Sequence, residues 1–190
     1  MSTFNSLSIR NLLVTALVFA PAAAMAAPPP ALTTAYSADR RVETDSGDMQ
    51  GRVHAMPGKE RSETRVGDMS TVMILDTGAR KGWMLMPAMK SYQELDLDRA
   101  SKQAGALTPE QTELEAVGTE TVSGLATTKY KFVMKDKSAG GFLWYTDSGI
   151  PVKMDVISKT GRDKTRMTVT LENIQIGPQD PALFQVPAGY

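Results

Sequence analysis

From residue 35 onward, apolar and polar side chains alternate in short runs closed by glycine, proline or aspartate. Alternation with a period of two marks strands that have one dry face and one wet face. It is clearest at residues 127–135, where Tyr130, Phe132 and Met134 oppose Lys129, Lys131 and Lys135. Residues 151–158 set Val152, Met154 and Val156 against Lys153 and Asp155. Residues 164–172 set Met167, Val169 and Leu171 against Lys164, Arg166 and Glu172. Further strands are predicted at 35–44, 49–55, 59–66, 69–76, 82–87, 119–123 and 141–146. Turns fall at Ser46-Gly47-Asp48, Met56-Pro57-Gly58, Gly67-Asp68, residues 77–81 and Asp147-Ser148-Gly149. Consecutive strands with such short turns form an antiparallel meander, and about ten of them fit a strongly curved sheet better than a flat sandwich.

The middle of the chain breaks this rhythm. Residues 95–106 are mixed and read as helical, with Leu97 and Ala100 on one side. Thr108, Pro109 and Gln111 then supply an N-cap, a first-turn proline and a capping-box partner, which predicts a helix to Val117.

The amino-terminal residues change the picture of where the fold begins. Arg10 precedes an apolar run at 12–24, and Ala24-Met25-Ala26 gives a small-x-small cleavage pattern. This is a signal peptide over residues 1–26; the run is too short to span a bilayer, and Pro21 interrupts it. Residues 27–34, with Pro28-Pro29-Pro30, read as a proline-rich linker, which leaves 35–190 as one domain. The expected location is the periplasm, with no transmembrane segment in the mature chain.

Cysteine is absent. Disulfides, thiolate metal sites, cysteine nucleophiles and lipid attachment through an amino-terminal cysteine are therefore excluded, so no lipid anchor is expected. Beyond residue 26 the charges nearly balance, 20 Lys and Arg against 21 Asp and Glu, and they are interspersed. No basic stripe matches a phosphate backbone, so nucleic acid is not an expected partner.

Ten methionines lie beyond residue 26, and Met69, Met73, Met84, Met86 and Met89 fall close together. Met is flexible and polarizable, so it serves equally as ordinary core filling or as an adaptable wall for apolar ligands. A third, minor reading is Cu(I) binding by the thioethers of Met84, Met86 and Met89, with His54 near Met49 and Met56 as a possible imidazole ligand. Three methionines in an apolar strand are more often packing, and neither a metal nor a cofactor is expected.

Asp76-Thr77-Gly78-Ala79 follows Ile74-Leu75, as in aspartic proteases, and Asp147-Ser148-Gly149 offers a second such loop. Those enzymes need two carboxylates sharing a proton. Asp and Gly are also what hairpin turns demand, and the spacing is tight for two lobes. No Gly-x-Ser-x-Gly elbow, Ser-x-x-Lys, phosphate loop or His-Glu-x-x-His occurs. The chain reads as a non-enzyme.

Several segments carry a family resemblance. Gly58-Lys59-x-Arg61-x-Glu63 leads into the strand at 72–76, and Trp83-Met84-Leu85-Met86-Pro87 precedes Lys90-Ser91-Tyr92. Residues 118–124 run into Thr128-Lys129-Tyr130, and Trp144-Tyr145-Thr146 leads through Asp147-Ser148-Gly149 to Ile150-Pro151. The ending at 181–190, with Phe184-Gln185-Val186-Pro187, is the most specific piece. Together they resemble the periplasmic lipoprotein-carrier superfamily of LolA and LolB, and more closely its secreted relatives of unknown function.

The resemblance implies a mainly β fold with minor α: an antiparallel open half-barrel of ten or eleven strands with a short helical lid. It implies a non-enzymatic carrier or binding protein for a lipid, acyl chain or other hydrophobic ligand, or for a lipidated protein. The alternative is an envelope-stress sensor or assembly factor that grips an envelope protein partner. The candidate apolar wall is Met84, Met86, Tyr130, Phe132, Met134, Val152, Met154, Val156, Met167 and Val169, with the helix around Pro109–Val117 as lid.

Overall fold

The computed structural model describes residues 28–67, 69–98, 111–161 and 163–190. The expected signal peptide therefore lies outside the described residues. Eleven strands follow in order: β1 (Tyr36–Thr44), β2 (Gly47–Met56), β3 (Lys59–Val66), β4 (Met69–Asp76), β5 (Lys81–Met86), β6 (Ser91–Asp96), β7 (Thr112–Val122), β8 (Leu125–Met134), β9 (Ala139–Tyr145), β10 (Pro151–Thr160) and β11 (Asp163–Ile176). Short 3-10 turns stand at Pro87–Met89 and Pro181–Phe184.

All eleven strands belong to one antiparallel sheet in the order β6-β5-β4-β3-β2-β1-β11-β10-β9-β8-β7. β6 and β7 are its two edges and do not pair, so the sheet is an open half-barrel. The two halves are meanders joined where β1 pairs with β11, Val42 opposite Val169 and Arg40 opposite Leu171. Among the described residues no helix is long and apolar enough to cross a membrane.

Two glycines let the sheet bend. A Cβ on Gly51 of β2 would overlap the Glu63 carbonyl of β3, and one on Gly141 of β9 would overlap the Asp155 carbonyl of β10. Glycine within a strand is characteristic of such close backbone approach and of built-in curvature.

The expected helix over 108–117 is corrected from residue 112 onward. Thr112–Val122 is the edge strand β7, with Leu114 opposite Phe132 and Thr112 opposite Met134. The alternation Glu113-Leu114-Glu115-Ala116 suits a strand, and pairing with β8 outweighs the cap-like residues ahead of it. β6 takes the first two residues of the expected helical stretch, 95 and 96, as strand by pairing with β5, and Leu97 and Asp98 after it are helical as expected. The rest of the expected helical stretch at 99–110 lies outside the described residues.

The carboxyl-terminal 3-10 turn covers the other face of the sheet. The turn Pro181–Phe184 is started by Asp180, whose side chain accepts from the Ala182 N–H at 2.9 Å. It delivers Phe184, 3% exposed, onto Val72, Ile74 and Leu85, with Trp83, Leu183, Val186 and Tyr190 packed around it. The proline-rich stretch from residue 28 has no strand or helix, but it is docked: the Thr33 N–H donates to the Ser148 carbonyl at 2.9 Å, and Leu32 packs on the core.

Candidate ligand-binding concavity

Registry decides which side chains share a face. Directly opposed residues point the same way, so Ala38, Val53, Ser62, Met73 and Met84 form one row across β1 to β5. The row continues in the other half through Val42, Val169, Met154, Leu143 and Tyr130. Val156 opposes Met167 and Gly141, and Gly141 opposes Phe132. All ten expected wall residues therefore lie on one face of the sheet.

They do different things there. Phe132 and Val152 are 2% and 0% exposed and belong to the packed core. Tyr130 and Phe132 join Leu143 in a cluster flanked by Met154 and Val156, whereas Val152 sits with Tyr36, Ala38, Val53 and Leu171 in another. Met134 is buried, and Met167 is exposed. Met84 and Met86 stand toward the far edge on β5, away from both clusters.

The face is concave. Tyr36, Arg40, Val53, Glu60, Leu143, Tyr145, Met154, Val169 and Leu171 all line one cavity of about 130 Å³. Its walls come from β1, β2, β3, β9, β10 and β11, and a flat sheet could not bring β3 and β9 to one space. Of the ten expected residues, Met154 and Val169 line it.

Sequence reasoning missed the polar floor of this cavity. Arg40 Nη1 lies 3.7 Å from Glu60 Oε1, and Arg40 Nη2 donates to Thr64 Oγ1 at 3.3 Å. Burial pushes the Glu60 carboxyl above its ordinary value, and the nearby Arg40 charge only partly counters it. The Tyr36 and Tyr145 phenols are pushed up by burial and then by Glu60. Tyr145 meets Tyr130 edge-on, ring centres 6.3 Å apart. A signal did exist for Arg40, which falls in phase with Tyr36, Ala38 and Val42, where a charge has to answer to something, whereas β3 has no apolar phase to mark Glu60.

His54 and Asp76 are each engaged in structural contacts. His54 opposes Ser37 while Met49 opposes Val42, so His54 and Met49 lie on opposite faces of β2. His54 Nδ1 is 2.8 Å from Gln179 Oε1, a tie to the carboxyl-terminal segment. Met89 is 66% exposed in its own turn. Among the described residues no three His, Asp or Glu side chains group as a metal site. Asp76 is ion-paired with Lys59, and its Oδ1 accepts from the Ala79 N–H at 2.9 Å. Those contacts hold its carboxyl below the ordinary range.

The comparisons agree with this architecture. The family described as "Domain of unknown function (DUF4412)" matches residues 43–148. No curated protein sequence matches the chain. Among solved structures, an uncharacterized conserved protein from Thermus thermophilus superposes with a TM-score of 0.58 at 14% identity, over 83% of this chain and 88% of that one. The Pseudomonas aeruginosa MucA/MucB complex gives a TM-score of 0.53 at 13% identity, over 82% of this chain and 56% of the matched one. The chain thus spans little more than half the length of MucB. These likenesses establish the fold, and the half-barrel implied by the LolA/LolB resemblance is borne out.

Proposed function

This chain belongs to the DUF4412 family, and from that premise we propose that it is a periplasmic, non-enzymatic binding protein or carrier for a lipid, acyl chain or other hydrophobic ligand. The observation that carries the reading is the cavity in the concave face, lined from six strands of a single sheet, five of which contribute apolar side chains. A concave apolar face with no second sheet against it among the described residues is suited to a guest. At about 130 Å³ the cavity is smaller than the 300–1,000 Å³ usual for a drug-sized ligand, so it would seat one end of a chain. The remainder would lie along Met154, Val156, Met167 and Val169 toward the open side, with Tyr130 and Met134 behind. Met84 and Met86 would extend the wall toward β6. The leader-like residues 1–26 support export.

Each buried methylene contributes about 0.8 kcal/mol, so affinity should rise with chain length. Titration with a series of fluorescent fatty acids tests this. Saturable binding that tightens with length is expected, and length-independent or unsaturable signal would refute it.

A second reading is a grip on an envelope protein partner, favoured by the likeness to MucB, which was solved in complex with MucA. It would be supported if the chain bound a defined envelope protein while native mass spectra showed it free of lipid.

A further inference from the structure

We propose that Tyr36, Arg40, Glu60 and Tyr145 form a headgroup site for the carboxyl end of a long-chain carboxylic acid. The inference rests on the hydrophobic-ligand reading and adds the chemistry of the polar end. Tyr36 is 1% exposed, and its hydroxyl makes no hydrogen bond to any described residue. Yet among the described residues no buried side-chain N or O atom is sealed off without a partner, so this hydroxyl opens into the cavity that Tyr36 lines. Only such a group, almost wholly buried and aimed at empty space, is waiting for a hydrogen bond.

Its neighbours define what it waits for. The Arg40 guanidinium has five N–H donors and gives one long bond to Thr64, while its approach to Glu60 is loose at 3.7 Å. The Tyr145 hydroxyl is a further donor on the same cavity. Three donors and one carboxyl favour a small head rich in acceptor oxygens. A carboxylate suits them because it carries one charge for one guanidinium and can share a proton with Glu60, whose carboxyl burial already inclines to the protonated form. A phosphomonoester would set about two charges beside Glu60 against Arg40, because Lys153, which also lines the cavity, holds its ammonium 5.0 Å over the Trp144 ring on the other face of the sheet. An amine would gain Glu60 but face Arg40.

The test is competition against a bound fluorescent probe, using palmitic acid, methyl palmitate and hexadecylamine, which differ chiefly at the head. Palmitic acid should compete roughly tenfold better than methyl palmitate, the size of one charge-assisted hydrogen bond. Arg40→Met should remove most of that ratio, and Tyr36→Phe, which deletes only the hydroxyl, should reduce it about threefold. Methyl palmitate binding should weaken less than palmitic acid binding in both variants, and circular dichroism with a thermal melt shows that each variant is folded. Equal binding of acid and ester, tighter binding of the amine, or an unaltered ratio in both variants would overturn the headgroup site alone. Failure of all three compounds to bind saturably would overturn the hydrophobic-ligand reading together with it.

Discussion

Glu60 on β3 and Tyr145 on β9 line the same cavity although four strands lie between them in the sheet. The relationship measures the curvature: β2, β1, β11 and β10 must roll far enough to bring two distant side chains to one space. Glu60 is close enough to raise the Tyr145 phenol. The site is therefore a property of the bend, and the residues that permit the bend are as necessary as those that line it.

Gly51 and Gly141 are those residues. Gly51→Ala would drive a Cβ into the Glu63 carbonyl, and Gly141→Ala into the Asp155 carbonyl. Backbone cannot step aside as a side-chain tip can, so each substitution should cost about 3 kcal/mol in urea unfolding. Gly177→Ala, whose added Cβ meets nothing within 4 Å, should stay within about 0.5 kcal/mol of the parent. If all three behave alike, curvature does not depend on these glycines.

Glu60 should make stability fall with rising pH. Burial raises its carboxyl in the folded chain above the ordinary 4.5, so the folded state binds the proton more tightly than the unfolded chain. The favourable contribution is complete below the unfolded value and is lost as pH climbs through the folded one. Glu60→Gln should accordingly melt higher than the parent at pH 7, with the gap closing toward pH 4. A variant that melts lower at pH 7 would show that Arg40 needs the carboxylate more than Glu60 needs water.

Phe184 should be worth far more than a tail residue ordinarily is. It is 3% exposed against Val72, Ile74 and Leu85 on the face opposite the cavity, and Arg61 Nη1 donates to the adjacent Leu183 carbonyl at 3.3 Å. Phe184→Ala should cost about 3 kcal/mol in chemical unfolding, as expected for a buried phenyl ring. A loss under about 1 kcal/mol would mean that the carboxyl-terminal segment is not part of the core.

How far the sequence discloses all this depends on the residues in question. Tyr130, Phe132 and Met134 against flanking lysines mark both a strand and its dry face, because only one side of β8 is apolar. In β5 both sides are apolar, so alternation cannot say that Trp83 and Leu85 go under the carboxyl-terminal segment while Met84 and Met86 face the concavity. β6, with Tyr92 and Leu95 among polar residues, becomes a strand only through its partner. At β7 the local cap signals of Thr108 and Pro109 competed with alternation at Glu113-Leu114-Glu115-Ala116, and cross-strand pairing won. The polar floor of the cavity is hidden for a different reason. Arg40 and Glu60 are 20 positions apart in sequence and Tyr145 is far beyond both, so only the rolled sheet makes them one site.

Asp76 gives the Asp-Thr-Gly sequence a structural task. In the turn between β4 and β5 its Oδ2 pairs with Lys59, its Oδ1 accepts from the Ala79 N–H, and Thr77 bonds back to the Gly58 carbonyl through both its N–H (2.9 Å) and its hydroxyl (3.0 Å). These contacts stitch the β4–β5 turn to the β2–β3 turn. They hold the Asp76 carboxyl below its ordinary 3.8, so the stabilisation is present above that value and is lost as pH falls through the folded one. Asp76→Asn retains an acceptor for Ala79 and loses only the ion pair, so it should cost about 0.5–1 kcal/mol at pH 7. The difference should vanish in acid, where the parent carboxyl is itself protonated. Thermal melts of parent and variant at pH 7 and in strong acid, below the folded value, check the stability. An assay on a denatured casein substrate checks the chemistry, and the variant should be indistinguishable from the parent. A loss of proteolysis on making Asp76→Asn, with stability unchanged at both pH values, would instead make the turn a catalytic loop.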